Sequence, residues 1–332
     1  VYKEPDLSFH GTQHMTEQSR TEEAMGKVSD ATKGNWVDAV APEFSRPYLR
    51  LSRADRPIGT WLLLIPCWWG LMLAILQDGQ ASLADLWIFF GCAFGAFLMR
   101  GAGCTWNDIT DRNYDGAVKR TKLRPIPSGQ VSVMQAVVWM GFQALLASLI
   151  LFSFNRVAIT LGFISLFPVM VYPFAKRFTW WPQIFLGIAF NWGILLAFAA
   201  HSGSVNGTAI LLYLSGIVWT LFYDTIYAHQ DKEDDALVGI KSTARLFGDA
   251  TNTWLWRLSL LSSTLMLGAL WFGTSGLSII IGGLGVLGFW VHMVWQIRRV
   301  NLDDAENLLM TFRSNRNAGL VPLIFFACAV IL

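Results

Sequence analysis

"RGAGCTWNDITDRNYDGAVKRTKLRPIPSG" occupies residues 100–129. It begins inside an apolar run and ends in a segment dense with charge. Asp108, Asp111 and Asp115 stand within a few residues of Lys119, Arg120, Lys122 and Arg124. Residues four apart on a helix share a face, and residues seven apart nearly do. Arg100, Asn107, Asp111 and Asp115 are spaced seven, four and four. A helix carried through this stretch therefore shows one polar stripe at its end. A second acidic stretch, "YDTIYAHQDKEDD" (223–235), sets Asp224, Asp231 and Asp235 at gaps of seven and four. The same spacing occurs twice in the chain.

The surroundings say where these stretches sit. Of 332 residues, 54% are hydrophobic and 14% charged, against about 25% charged in average soluble domains. A bilayer-crossing helix needs roughly 20 mostly apolar residues. Nine such runs are visible, at about 58–76, 85–106, 132–152, 157–175, 183–201, 208–229, 253–272, 277–297 and 318–332. The fold class is all-α, a polytopic membrane protein of nine transmembrane helices. The last run is short for a crossing. Arg50, Arg53 and Arg56 precede the first span, and Lys or Arg residues cluster after spans two, four, six and eight. "QDGQAS" (77–82) and "SGSVNG" (202–207) carry neither Lys nor Arg, although Arg156 breaks the pattern. The positive-inside rule then puts the N-terminus and the long loops in the cytoplasm, or in the matrix of a mitochondrion. Both acidic stretches fall on that one face and can meet.

Residues 1–46 are polar, with Glu4, Asp6, Glu17, Glu22, Glu23 and Asp30 among few bases. They match neither an Arg-rich transit peptide nor a secretory signal with its apolar core. A poorly ordered tail is expected there, with the transmembrane domain over 47–332. Cys67, Cys92, Cys104 and Cys328 each stand alone in apolar surroundings, without metal-ligand spacing, and are expected to be small core residues. No nucleic-acid partner is expected; the lipid bilayer is the evident one.

Five or six carboxylates facing one cavity repel unless a cation joins them. Mg²⁺ takes oxygen ligands and is commonly held by one or two carboxylates together with substrate phosphates. Two acidic clusters thus suggest metal ions clamping a diphosphate, with Lys119, Arg120, Arg124 and Lys176 as donors to its oxygens. The competing view is that these charges merely solvate loop ends. "VYPFAKRFTWWPQ" (171–183) places Tyr172 and Lys176 four apart at the end of span four. Arg177 is a candidate for an anionic group on a second substrate. Arg53, Asp55 and Arg56 at the mouth of span one are either site groups or positive-inside markers, with Arg56 the candidate substrate ligand. Arg100 and Asp224 lie about two turns inside their spans, where charge is costly and usually functional. They either pair with each other or touch substrate. Asn191 either lines a cavity or bonds a neighbouring helix.

These stretches resemble the UbiA superfamily of membrane prenyltransferases. "NDITDRNYD" (107–115) fits its NDxxDxxxD motif, "DKEDD" (231–235) its DxxxD motif and "YPFAK" (172–176) its YxxxK element. The likeness runs over about 47–320 and includes "RPIGTWLLLIPCWWG", "RTKLRPIPSG", "GIKSTA" and "FRSNRNAGL". Within the superfamily it is most similar to the ubiquinone-pathway branch, in an alphaproteobacterial style. Ala54 and "AENLLMTF" (305–312) depart from many relatives without touching a motif.

The resemblance implies nine helices around a central cavity capped by cytoplasmic acidic loops. It implies Mg²⁺ and a polyprenyl diphosphate, with transfer to the carbon ortho to the hydroxyl of 4-hydroxybenzoate. Asn107, Asp111, Asp231 and Asp235 are then the expected metal ligands, with Asp108 and Asp115 in support. Asp224, Asp111 and Asp231 are expected at the catalytic centre. Lys119, Arg120, Arg124, Tyr172 and Lys176 are expected on the diphosphate, and Arg177, Arg56, Arg100 and Asn191 near the aromatic acid. The expected home is a bacterial inner membrane, or else the mitochondrial one. Two alternatives compete: the same chemistry on another aromatic acceptor, or an acidic-site transporter. Transporters place such charges near the bilayer middle, whereas here most sit at one interface.

Overall fold

The computed structural model describes residues 34–116, 121–237 and 239–332. All secondary structure among them is helical. Three short elements come first: α1 (Trp36–Ala39), a 3-10 turn (Glu43–Ser45) and α2 (Arg46–Leu51). The long helices follow as α3 (Ile58–Asp78), α4 (Leu83–Asp115), α5 (Val133–Leu151), α6 (Arg156–Phe178), α7 (Pro182–Ser202) and α8 (Gly207–Ala228). A 3-10 turn (His229–Asp231) and the short α9 (Lys232–Leu237) and α10 (Thr243–Phe247) lead to α11 (Thr251–Gly273), α12 (Leu277–Arg299) and α13 (Ala305–Ile331). Among the described residues nine helices are long and apolar enough to cross a bilayer. The chain is a multi-pass membrane protein.

The helices start where side chains satisfy the free N–H groups of a first turn. Ser132 and Gln135 form a capping box at α5, with the Ser132 N–H donating to Gln135 Oε1 at 2.9 Å. Asn155 accepts from the Ala158 N–H at α6, and Asn206 from the Thr208 and Ala209 N–H groups at α8. Gly79 and Gly203 close α3 and α7 in the left-handed region, with φ of 72° and 73°.

Packing inside a bilayer relies on close van der Waals fit, because lipid is as apolar as the helices. α3 lies at the centre and packs on α4, α7 and α13, while α8, α11 and α12 complete one side. At Gly70 a Cβ would collide with the backbone carbonyl of Ile194, so glycine is what lets α3 approach α7. Trp69, Trp219 and Phe289 form the heart of the core, with ring centroids 5.1–5.8 Å apart. Both indoles are hydrogen-bonded to α13, Trp69 Nε1 to the Gly319 carbonyl at 2.9 Å and Trp219 Nε1 to Asn315 Oδ1 at 3.2 Å. Phe94, Val138, Phe167, Trp271 and Leu284 stay exposed on the outside of the bundle, as a lipid solvent permits. α5 and α6 barely touch each other.

Three expectations from the sequence are corrected. The last span begins at Ala305, not near 318, and its 27 residues suffice to cross. Arg313, Asn315, Arg316 and Asn317 break the hydropathy there, but the buried Asn315 is satisfied by Trp219. The polar N-terminal stretch is partly anchored from Asn35 onward: Val37 is buried, Trp36 Nε1 donates to the Ala54 carbonyl at 3.0 Å, and Arg50 pairs with Asp38 at 2.8 Å. The remainder of the expected tail lies outside the described residues. Finally, Asp224, Asp231 and Asp235 do not share one straight α-helix, because the 3-10 turn at His229–Asp231 tightens the winding between them. The cause is local. His229 is buried and its Nδ1–H donates to the Thr225 carbonyl at 2.8 Å, which pulls the chain inward.

Candidate functional site

α4 runs for 33 residues, well past its apolar part, so the first acidic motif is helical to Asp115. Its carboxylates do not point alike. Asp111 is 1% exposed and carries a cation on each oxygen: Lys176 Nζ at 2.6 Å from Oδ2 and Arg177 Nη2 at 3.3 Å from Oδ1. Arg177 also donates to the Thr110 carbonyl at 3.1 Å and lies over the rings of Tyr114 and Phe174. These contacts bind the end of α6 to the end of α4. One turn deeper, the Tyr172 hydroxyl donates to the Gly103 carbonyl at 3.3 Å.

Asp108 faces the other way and is fully buried. Arg53 Nη2 lies 2.5 Å from its Oδ1 and Arg124 Nη1 3.3 Å from the same atom. Arg124 also reaches Asp115 at 2.7 Å. Arg53 is held at φ 56°, the left-handed region that a side chain enters at a cost. Asp108 thus ties the segment before α3 and the loop after α4 to the acidic helix, rather than facing the cavity with Asp111.

The second motif approaches from α8. The 239–243 loop docks on the end of α6, with the Lys241 N–H donating to the Lys176 carbonyl at 3.0 Å. Tyr114, Lys176, Arg177, Gly239 and Ile240 surround a small cavity of about 150 Å³. The first motif, through Tyr114, and the loop that follows the second motif therefore border one mouth. Asp231 and Asp235 are half-buried, and the Asp235 carbonyl accepts from the Ile240 N–H at 2.9 Å and from Arg245 Nη1 at 3.3 Å. Lys119 and Arg120, expected on a diphosphate, lie outside the described residues.

Below the mouth a larger cavity of about 520 Å³ extends among α4, α5, α6 and α7. Its walls are apolar, from Met99 and Ala96 down to Leu151 and Phe154, and its polar end is made by Arg100 and Tyr172. Gly103 to Gly91 on α4 both line it, so at about 1.5 Å per residue it runs roughly 18 Å along the helix. Arg100 stacks over Phe190, 5.2 Å from Cζ to the ring centroid. Its Nε is buried without a hydrogen-bond partner. It forms no ion pair with Asp224. Asp224 itself is half-buried, next to the fully buried Tyr223.

The remaining expected residues are engaged elsewhere. Arg56 makes two contacts with its neighbour Asp55, at 3.1 and 3.2 Å. Asn191 is buried and donates to the Gly187 carbonyl at 2.9 Å and to Thr220 Oγ1 at 2.8 Å, joining α7 to α8. Of the two possibilities open for Asn191, the helix-bonding one is what the structure holds. Tyr114 and Phe190 complete the site without having been singled out as its members, and Arg53, open as a site group or a positive-inside marker, is held by Asp108. Of the first two, Tyr114 had a sequence signal, its place beside Asp115.

The donors suit a hard divalent cation in kind, since Asn107, Asp111, Asp231 and Asp235 offer oxygen alone. Their arrangement is not a ready nest. Among the described residues no three acidic, His or Cys side chains converge on a point a metal would occupy, and Asp111 and Asp115 each hold protein cations. Chemically the site can gather an anion at the mouth, where Lys176 and Arg177 stand, above an apolar channel headed by Arg100, whose Nε has no partner.

The model of the UbiA prenyltransferase family matches residues 63–316. The 4-hydroxybenzoate polyprenyltransferase, mitochondrial, of Arabidopsis thaliana is 47% identical over 265 residues, which are 80% of this chain and 60% of that protein. The protein of the same name from Bos taurus is 46% identical over 283 residues, 85% of this chain and 74% of that one. This chain therefore spans about three-fifths to three-quarters of the length of these relatives. Among solved structures, a UbiA homolog from Archaeoglobus fulgidus bound to GPP and Mg²⁺ superposes with a TM-score of 0.64 at 18% identity, over 86% of this chain and all of that one. The apo UbiA homolog from Aeropyrum pernix K1 gives 0.62 at 23% identity, over 82% of this chain and 96% of that one. These two likenesses are of fold.

Proposed function

The chain belongs to the UbiA prenyltransferase family, and from that premise we propose that it transfers a polyprenyl group from polyprenyl diphosphate to 4-hydroxybenzoate in ubiquinone biosynthesis. The observation that carries this reading is the stacking of three zones along α4: paired acids and bases at the mouth, Arg100 below them, and an apolar cavity beneath. A diphosphate suits the first, a carboxylate the second and an isoprenoid the third. The names of the relatives support the substrate, and the homolog bound to GPP and Mg²⁺ supports the donor class.

The bond between the allylic carbon and the diphosphate oxygen breaks, and the diphosphate leaves with the electron pair. Lys176, Arg177 and Arg124 face the charge that grows on it, and preorganised cations are worth most in a site that excludes water. The ring carbon ortho to the hydroxyl forms the new C–C bond and then loses its proton to the released diphosphate. Asp224 polarises the hydroxyl, which enriches that carbon in electron density. Arg100 holds the carboxylate. Arg177 and Arg56, the other candidates for that task, are each already bound to an aspartate. We place Mg²⁺ on Asn107, Asp111, Asp231 and Asp235, where it would neutralise further charge on the diphosphate. Homologs bound to Mg²⁺ and to Cd²⁺ support a divalent ion. Asp108 is proposed as the anchor for Arg53 and Arg124, with Asp115 sharing Arg124. The apolar walls keep water from the allylic cation.

The acidic mouth is proposed to face the cytoplasm or matrix. The mitochondrial names of the relatives favour the organellar inner membrane over the bacterial one. Orientation has its own check: Ser204→Cys should react with an impermeant thiol reagent from the outer face, and labelling from the inner face alone would invert the topology. The function itself is tested by transfer of labelled 4-hydroxybenzoate into lipid, with homogentisate as the competing acceptor.

A further inference from the structure

Gly59 occupies the second position of α3, a helix that is mostly apolar. Glycine is a poor helix former, and its φ here is not one that requires it. A Cβ at this position would fall on Arg100 Nε and lie 2.5 Å from Nη2 and 2.7 Å from Cζ. The guanidinium therefore rests directly on the α3 backbone, with the Phe190 ring on another side. Its buried, unpartnered Nε belongs to a side chain that lines the head of the large cavity. Two helices and one ring thus define a slot for a single planar cation.

We infer that Gly59 is a positioning residue for the aromatic acceptor: its missing side chain is the slot that aims Arg100 at the acceptor's carboxylate. The inference rests on the proposed role of Arg100. The atoms a Cβ would displace are the far end of a flexible side chain, not backbone. Gly59→Ala therefore moves the guanidinium and leaves the helices where they are. Alanine also extends helix more readily than glycine, so thermal stability should hold or rise.

The test uses the full chain in liposomes. Gly59→Ala is expected to raise the KM for 4-hydroxybenzoate by about tenfold, the order of a misdirected charged hydrogen bond. The KM for the prenyl donor should stay within about twofold of its starting value, far below a one-bond effect. With 4-hydroxybenzamide, which keeps the ring and hydroxyl but has no negative charge, the variant and the parent should behave alike. A general distortion of the site would slow both acceptors. In the Arg100→Ala background Gly59→Ala should add nothing further, since both changes act through one contact. Additive effects, or equal loss on acid and amide, overturn the role given to Gly59. If Arg100→Ala raises the acid's KM and Gly59→Ala does not, only the positioning role fails. If Arg100→Ala leaves that KM unmoved, the assignment of Arg100 fails with it.

Discussion

Asp111→Asn is expected to lower turnover by about 10³-fold or more while the protein still inserts and folds. Asparagine keeps the volume of the side chain and removes its charge. Asp111 orders two cations, Lys176 and Arg177, at 2.6 and 3.3 Å, and it is a proposed metal ligand as well. Removing one preorganised donor from a developing charge costs roughly 10²–10³ in rate, and here two donors lose their anchor together. The stability cost is smaller. Breaking a buried pair costs about 3–5 kcal/mol when the partner is left dry. Lys176 and Arg177 are 27% and 36% exposed, so water recovers most of that, and a loss of about 1 kcal/mol is expected. Single-turnover rates beside a thermal unfolding curve separate the two effects. Near-normal turnover with lowered stability would make Asp111 a structural rivet.

Arg100→Ala is expected to raise the KM for 4-hydroxybenzoate about 10- to 100-fold. A charged hydrogen bond to a buried partner is worth about 1.5–3 kcal/mol, and each 1.4 kcal/mol is about tenfold in affinity. Little else depends on this side chain. It forms no ion pair among the described residues, and its contact with Phe190 is worth about 1 kcal/mol. The donor's KM should move little. If both constants rise together, Arg100 belongs to the diphosphate end and the carboxylate is held elsewhere.

Spacing alone made much of this legible. Asn107, Asp111 and Asp115 repeat at four residues, and α4 does carry the motif as helix to its end. Runs of apolar residues gave eight spans nearly as observed. The ninth was shortened because polar residues at 313–317 lower its hydropathy, and only the tertiary partner Trp219 explains why Asn315 can be buried. The division of labour among charges was not legible either. Asp108 and Asp111 are three apart, yet one binds Arg53 across 55 residues and the other Lys176 across 65. Helix spacing does not choose long-range partners. For the same reason Arg177 looked free for the acceptor, while its neighbour in space is Asp111. Gly59 carried no sign at all, since its meaning lies in an arginine on the next helix.

The account stands most directly on one measurement: transfer of label from carboxyl-labelled 4-hydroxybenzoate into the organic phase, using the purified chain in liposomes with polyprenyl diphosphate. Label should become lipid-extractable only when donor and Mg²⁺ are both present. It should stay aqueous with excess chelator, and unlabelled homogentisate should compete poorly. Transfer that persists without donor or in excess chelator, or label that remains aqueous under every condition, would contradict the account.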